Sequence, residues 1–199
     1  ELIKSTYLVS KADFVACHNQ SYIHKYDMVQ DLKKGGTFLL NCTWDVAELN
    51  EKLPADVKRY IAQNDIQFYV IDGIKIGKEI GLNGKINTVL QSAFFALANI
   101  IPAEDAIQYM KDAAKKSYGK KGDAIVQMNY DAIDAGAGSM VKVEVPEDWA
   151  YAVDEVKMAE LLADRPEVLD FVQNIQKEVN AQRGNKLPVS AFTDYADGS

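Results

Sequence analysis

The stretch ADFVACHNQSYIHKYD (residues 12–27) holds both histidines of the chain and one of its two cysteines. Cys17, His18 and His24 are residue types that act as nucleophiles, general bases or metal ligands. Cys17 and His18 are neighbours at the end of an apolar run, and successive side chains of a strand point to opposite faces. The spacing therefore disfavours a direct thiolate–imidazole pair of the kind that a cysteine nucleophile needs.

A metal site built from Cys17, His18, His24 and Cys42 is the second hypothesis for this stretch, because thiolates and imidazoles are zinc ligands. The spacing of these four residues matches no familiar zinc pattern, and neither cysteine belongs to a CxxC pair. The two cysteines also follow different predicted strands, whose ends aim side chains in different directions. We therefore assign no metal ligand and no catalytic residue in this chain.

A structural interpretation of the same stretch places Cys17 in the core and lets Asn19 or Ser21 cap the turn after the strand. We favour this interpretation over the nucleophile and the metal site. Open α/β sheets bind ligands in a crevice at the carboxyl ends of their strands, so polar residues that follow the strands would still face it. These residues are His18, Asn19, Asn41 and Asp72.

Two further motifs offer polar groups to a ligand. GLNGKIN (81–87) places two glycines and Lys85 before an apolar helix, where backbone N–H groups and a cation attract phosphates. A plain helix start explains the same residues, because the motif is neither GxGxxG nor a Walker loop. Asn129 lies within the helical run IVQMNYDAID, where an asparagine is mildly unfavourable, and an exposed surface asparagine is the simpler explanation.

Strands and helices alternate in the first third of the chain. Short apolar runs at 13–17, 37–41 and 66–72 are typical of parallel strands that are covered on both faces. Helical spacing fills 20–34, and it also fills 45–64, where Pro54 divides it. This alternation predicts a doubly wound α/β arrangement.

The remainder of the chain is predicted to be largely helical. Helices are expected at 74–80, 86–99, 103–117 and 121–135, and VKVEV (141–145) alternates as an exposed or edge strand does. The fold class is thus α/β, with three α/β/α layers, a small mainly parallel sheet and a helix-rich C-terminal half. We divide the chain into an α/β unit (1–150), a helical region of the same domain (151–183) and an extended linker (184–199).

Composition and charge exclude several function classes. The chain has 22 Lys and Arg against 29 Asp and Glu, a formal charge of −7, and no basic run longer than two residues. Nucleic acid is therefore not expected as a partner. No window is apolar enough for a membrane span, and the two unpaired cysteines fit a reducing cytoplasm.

Five long motifs, in this order, resemble pyruvate:ferredoxin (flavodoxin) oxidoreductase. They are ADFVACHNQSYIHKYD, KKGGTFLLNCTW, the segment from LPADVKRYIAQ to FFALANIIP, KSYGKKGDAIVQMNYDAID and KLPVSAFTDYADG. The resemblance covers essentially the whole chain. It corresponds to the latter part of the γ-type domain, also called domain III, so we expect the chain to begin inside that domain.

The resemblance implies a large enzyme of anaerobic metabolism that oxidatively decarboxylates pyruvate, makes acetyl-CoA and reduces ferredoxin or flavodoxin. It places thiamine diphosphate and [4Fe–4S] clusters in other domains of the parent enzyme, and it implies a homodimeric parent. Two cysteines cannot ligate a [4Fe–4S] cluster, which needs about four thiolates. The expected partners are therefore the remaining domains of the parent and its electron acceptor.

The γ-type domain also helps to bind coenzyme A, and the matching positions here are Asn87 and Asn129. Two other contacts of the family, a Gly-Asp-Gly loop and a Lys-Ser-Gly-Gly turn, do not occur in this sequence. Lys85 stands where the family more often carries Arg. The alternative hypothesis is a purely structural or interface module of a related 2-oxoacid oxidoreductase. An independent flavodoxin-like or Rossmann-like binder is disfavoured, because no glycine-rich loop follows the strand at 13–17.

Overall fold

The computed structural model describes residues 9, 11–82, 84–154 and 164–195 of the chain. The strands in this part are β1 (Ala12–Cys17), β2 (Leu32–Asn41), β3 (Gln67–Ile71) and β4 (Val141–Lys142). The α-helices are α1 (Val46–Lys52), α2 (Ala55–Gln63), α3 (Gly73–Ile80), α4 (Asn87–Ala98), α5 (Ala103–Tyr118), α6 (Asp123–Gly138), α7 (Pro166–Phe171) and α8 (Lys177–Asn180).

The four strands form one sheet in the order β1-β2-β3-β4. β1 pairs with β2, and β2 with β3, in parallel, whereas β4 runs antiparallel to β3. The three predicted parallel strands are confirmed. The predicted 141–145 strand is confirmed as the edge strand beside β3, but its ladder is shorter, and Val143 N still donates to Phe68 O at 2.9 Å.

The sheet is covered on both faces, as the unbroken apolar runs of β2 and β3 predict. Phe38 and Phe68 point to the α1–α2 side, where their rings stack with centroids 5.5 Å apart. Leu39 and Ile71 point to the opposite side and pack with α4 and α6. The predicted three-layer α/β/α fold is thereby confirmed, and burial of each such side chain contributes roughly 1.5–3 kcal/mol.

The helix predictions are confirmed from α1 to α6, apart from small shifts at their ends. Asp45 and Glu48 form a reciprocal capping box at α1, and Pro54 separates α1 from α2. Asp72 caps α3 by accepting from Lys75 N, and Gly81 ends α3 in the left-handed conformation with a φ of 85°.

The helix predicted at 20–34 is wrong. The structure has only a short 3₁₀ turn, Gln20–His24, and Leu32 already belongs to β2. Helical spacing of apolar and aromatic residues misled the prediction. The residues are Tyr22, Tyr26, Val29 and Leu32, of which Val29 and Leu32 are buried, whereas Tyr22 is 42% exposed. The backbone carbonyl of Leu32 accepts a hydrogen bond from Tyr60 Oη at 2.7 Å, so a side chain rather than a helical N–H is its partner.

In the last part of the chain, the predicted helical region is helical from Pro166 to Asn180, whereas the described part of the predicted extended linker differs. Residues 155–163 of the 151–183 region lie outside the described residues, and α7 and α8 are joined by a π-helical segment, Val172–Gln176. Two 3₁₀ segments, Gly184–Lys186 and Val189–Tyr195, replace the expected extended backbone. Tyr195 Oη donates to Asp170 Oδ2 at 2.6 Å, which raises the pKa of Tyr195 to about 12. The role of 184–199 as a linker stays a prediction.

A closing turn, Glu147–Tyr151, brings the chain from β4 back to the α1–α2 layer. Its Trp149 is buried, and Trp149 Nε1 donates to Asn50 Oδ1 at 2.8 Å. Gln63 Nε2 donates to the carbonyl of Ala150 at 2.8 Å. The turn therefore completes the apolar layer that covers Phe68.

Helices α4 and α6 approach each other closely at Gly136. A Cβ at Gly136 would overlap the carbonyl oxygen of Val89 and would lie 3.0 Å from Ser92 Cβ. Ser92 Oγ donates to the carbonyl of Ile133 across the same buried contact. Because only glycine fits here, this one residue sets the distance between the two helices.

We predict that Gly136→Ala lowers the free energy of unfolding of this chain by about 1–3 kcal/mol, the usual range for overpacking a buried contact. The extra methyl group would push α6 away from α4. Urea denaturation followed by circular dichroism measures the effect.

The matched control is Gly138→Ala in the last turn of the same helix. Nothing lies within 4 Å of a Cβ built on Gly138, so this variant should be neutral or gain up to about 1 kcal/mol from helix propensity. Equal loss of stability in both variants would contradict the steric explanation.

Candidate functional site

In residues 12–27, Cys17 and Asn19 have the structural roles that the favoured interpretation gives them. Cys17 is buried, and its Sγ donates to the carbonyl of Asn19 at 3.1 Å. Asn19 Oδ1 accepts from Ser21 N at 3.0 Å, which confirms Asn19 as the cap of the following turn. Burial raises the pKa of the Cys17 thiol, and burial likewise raises the pKa of Cys42 to about 11. Both cysteines are therefore protonated near neutral pH.

The two histidines lie in different surroundings. His18 lines a cavity of about 340 Å³ together with Phe14 and Phe94. The His24 ring instead meets the ring of Trp44 edge-on, with centroids 6.1 Å apart. Within residues 9, 11–82, 84–154 and 164–195, no group of three or more His, Cys, Asp or Glu side chains is placed to hold a metal ion.

The polar residues at the carboxyl ends of the strands hold loops together. Asn41 is buried; its Nδ2 donates to the carbonyl of His18 and its Oδ1 accepts from Gly73 N, both at 2.9 Å. Asp72 Oδ1 accepts from Lys75 N at 2.8 Å as the α3 cap. Asn41 thus ties the segments after β1 and β3 to the end of β2, and its role is structural.

A separate cleft of about 400 Å³ brings together the two asparagines predicted as ligand contacts. Asn87 is the first residue of α4, and Asn129 lies in the middle of α6. Both line this cleft, and Asn87 also lines the cavity of His18. The full lining is Gly81, Leu82, Lys85, Asn87, Thr88, Tyr118, Lys121, Ile125, Met128 and Asn129.

Glycines set the backbone before two of the segments that line the cleft. Leu82 N donates to the carbonyl of Gly77 at 2.8 Å behind the left-handed Gly81, which turns the chain out of α3. α6 begins after Gly122, whose φ of 101° is strained for any residue with a Cβ. The residues before α4 and α6, Ile86 and Gly122, have no side chain that can cap a helix.

Asn129 is only 7% exposed, so the alternative of an exposed surface asparagine is wrong. Its Nδ2 donates to the carbonyl of Ile125 at 2.8 Å, one turn earlier in α6. This bond orients the amide from within its own helix. The amide is thus held at the wall of the cleft in one orientation.

Two lysines line the cleft, although the chain as a whole is acidic. Lys85 stands two residues before α4, and Lys121 stands two residues before α6. Lys121 Nζ lies 5.4 Å from the centroid of the Tyr118 ring. Sequence reasoning missed Lys121 and Tyr118, because KSYGKKG was interpreted only as a helix break; the paired Lys-x-helix pattern of GKIN and KKGD is the signal that would have found them.

Two family models match the chain. One, described as pyruvate ferredoxin/flavodoxin oxidoreductase, matches residues 1–139. The other, described as a domain of unknown function, matches residues 154–199. Within the residues that the structure describes, no helix is both long and apolar enough to cross a membrane.

Curated relatives match almost the whole chain. It is 48% identical over 197 residues to the pyruvate-flavodoxin oxidoreductase of Enterobacter agglomerans, covering 99% of the chain and 16% of that protein. It is 47% identical over 191 residues to the pyruvate:ferredoxin oxidoreductase of Moorella thermoacetica, covering 96% of the chain and 16% of that protein. The chain thus spans only about 16% of the length of these relatives.

A solved structure shares the fold. The pyruvate oxidoreductase subunit PORC of Thermotoga maritima matches with a TM-score of 0.54 at 18% identity, covering 68% of this chain and 67% of that chain. At this identity the likeness concerns the fold alone.

Burial of Cys42 predicts a pH dependence of stability. Its pKa of about 11 lies above that of an unfolded cysteine, about 8.5, so the folded state holds the thiol proton more tightly. The contribution of the protonated Cys42 thiol to stability is fully present below about pH 8.5 and is lost as the pH rises towards 11. We therefore expect the free energy of unfolding to fall over that interval, as measured by urea denaturation at each pH.

Cys42→Ala provides the control, because it removes the thiol but leaves the tyrosines and lysines that titrate in the same interval. The variant should be less stable at neutral pH, yet should lose less stability between about pH 8.5 and 11. Parallel pH curves for the two proteins would exclude the thiol as the cause.

Proposed function

Since the chain belongs to the pyruvate ferredoxin/flavodoxin oxidoreductase family, we propose that it is one part of an enzyme that oxidatively decarboxylates pyruvate to acetyl-CoA. Ferredoxin or flavodoxin accepts the electrons. The reaction belongs to the longer protein, with thiamine diphosphate and [4Fe–4S] clusters in its other domains. This chain has two cysteines, both buried, whereas a [4Fe–4S] cluster needs about four thiolates. The parent is proposed to be a cytoplasmic homodimer.

The part that this chain plays is to bind coenzyme A through Asn87 and Asn129. The observation that carries this proposal is that both side chains line the same cleft between α4 and α6. A carboxamide offers two donors and one acceptor without charge, which suits the pantetheine amides and the polar edge of adenine. Asn129 is held by its bond to Ile125 O, so little side-chain freedom is lost when it binds a ligand.

The remainder of the cleft fits the other chemical groups of the coenzyme. Leu82, Ile125 and Met128 provide apolar surface for the pantetheine chain or an adenine face. Lys85 and the first N–H groups of α4 favour phosphate, because the N-terminus of a helix attracts anions. Lys85 binds a phosphate as a point charge and cannot form the bidentate fork of an arginine.

A second role, packing against the remaining domains of the parent, is supported by exposed apolar side chains. Tyr151 is 84% exposed, Val153 81% and Val189 91%. Tyr151 ends the closing turn, Val153 follows it, and Val189 begins the last 3₁₀ segment. All three lie away from the cleft residues in sequence. Packing alone would make this chain the purely structural or interface module of the alternative hypothesis. Kinetics with coenzyme A distinguish packing alone from packing together with coenzyme A binding.

We expect Asn87→Ala and Asn129→Ala, introduced into the complete enzyme, each to raise the KM for coenzyme A about two- to tenfold. That factor corresponds to the loss of one hydrogen bond between neutral groups, about 0.5–1.5 kcal/mol. The dependence on pyruvate should remain unchanged. Steady-state rates with each substrate varied separately measure both effects.

The matched control is Asn174→Ala, which removes an exposed helical asparagine far along the chain whose Nδ2 donates to Asp170 Oδ1. Its kinetics should equal those of the parent enzyme. Unchanged coenzyme A kinetics in both cleft variants would refute the coenzyme A role and leave the interface module.

The 199-residue chain by itself should not oxidise pyruvate, because the proposed thiamine and cluster sites belong to other domains. We expect a colourless protein without iron that does not reduce a viologen dye when pyruvate and coenzyme A are added. Iron analysis and dye absorbance test this. Stoichiometric iron, or pyruvate-dependent dye reduction, would contradict it.

A further inference from the structure

We propose that Lys121, held beside Tyr118, binds a phosphate group of the ligand in the α4–α6 cleft. This inference rests on the proposed coenzyme A role of the cleft, and it adds a residue that the resemblance does not assign. The ligand class is a nucleotide-bearing carrier with more than one phosphate group.

The first observation is the matched position of the two lysines. Lys85 and Lys121 each stand two residues before a helix, and both line the cleft of about 400 Å³. The residues between each lysine and its helix, Ile86 and Gly122, cannot cap the first N–H groups. Each lysine is thus paired with the N-terminus of a helix at the same cleft, which favours anions at two places.

The second observation is the backbone that holds Lys121. It ends a 3₁₀ turn, Gly119–Lys121, and Gly122 follows with a φ of 101° and a ψ of 156°. No other residue type adopts this conformation without strain. The turn therefore sets the direction in which the Lys121 side chain leaves the start of α6.

The third observation is the contact with Tyr118. Lys121 Nζ lies 5.4 Å from the ring centroid, within the range of a cation–π contact, while Tyr118 also lines the cleft. The half-buried ring restricts a long side chain that would otherwise move freely in water. Its position beside the lysine also places an aromatic surface next to the proposed phosphate, where a purine ring can stack.

The charge distribution supports a specific role for this cation. The chain carries a formal charge of −7, so two lysines at one cleft oppose the sign of the whole. Asp123 lies in the first turn of α6 but does not line the cleft. The Asp123 carboxylate, which is close to Lys121 in sequence, therefore does not occupy the position proposed for the phosphate.

The test uses the complete enzyme with Lys121→Gln, Lys121→Arg and Lys120→Gln. Lys120 lies in the same turn and carries the same charge, but it does not line the cleft. The probes are coenzyme A as substrate and adenosine 3′,5′-bisphosphate as inhibitor, compared with unphosphorylated pantetheine as inhibitor. Rates are measured at low and at high salt.

We expect Lys121→Gln to raise the KM for coenzyme A and the inhibition constant of the bisphosphate by about three- to tenfold, a modest factor because the lysine is exposed. The inhibition constant of pantetheine should not change. The salt dependence of the KM should become shallower, since one charge–charge contact is lost. Lys121→Arg should restore most of the affinity, and Lys120→Gln should behave as the parent enzyme.

The proposal is overturned if Lys121→Gln equals Lys120→Gln, or if pantetheine inhibition weakens as much as inhibition by the bisphosphate. Failure of the wider proposal looks different. In that case Asn87→Ala and Asn129→Ala leave the KM for coenzyme A unchanged. A raised KM in the asparagine variants with an unchanged KM in Lys121→Gln removes only the Lys121 assignment.

Discussion

The close approach of α4 and α6 at Gly136 is the constraint on which the candidate site depends. With no side chain there, the backbone of α6 rests on the carbonyl of Val89, and Ser92 bonds across to Ile133. Asn87 and Asn129 belong to these same two helices. This packing contact lies about two helical turns from Asn129 but within one turn of Asn87, and it therefore sets how wide the cleft is, because interiors are packed too densely to absorb an added methyl group.

The sheet was predictable from the sequence, whereas the connection between β1 and β2 was not. Strands with both faces covered show unbroken apolar runs, and β2 and β3 bury Phe38 and Phe68 on one face and Leu39 and Ile71 on the other. In the connection, Tyr22, Tyr26 and Val29 recur at helical spacing, yet only the short 3₁₀ turn Gln20–His24 forms. The pattern of a single sequence indicates which residues are buried. It does not show that the Tyr60 hydroxyl donates to the backbone carbonyl of Leu32, which in a helix would accept from a backbone N–H.

The candidate site was predictable only in part. The resemblance pointed to Asn87 and Asn129, and the structure adds that one cleft joins them. Asn41 was expected at a ligand crevice, but both ends of its amide are already bonded to the backbone of neighbouring loops. Lys121 was not predicted as a site residue, because a lysine in a polar turn is ordinarily a solvated surface residue. Its place over Tyr118 depends on the left-handed Gly122 and cannot be inferred from residue type.

The closing turn at Trp149 also orders the events of folding. The bond that Trp149 Nε1 donates to Asn50 joins residues 99 positions apart, and the bond that Ala55 N donates to Asp154 spans the same interval. A nascent chain leaving the ribosome thus exposes the α1–α2 side of Phe68 until residue 149 has emerged. Contacts so distant in sequence form slowly, because a long loop must close before they are made. Both layers of this protein are consequently completed late: Leu39 and Ile71 stay uncovered until α6 has emerged, and the α1–α2 layer stays incomplete until Trp149 has emerged.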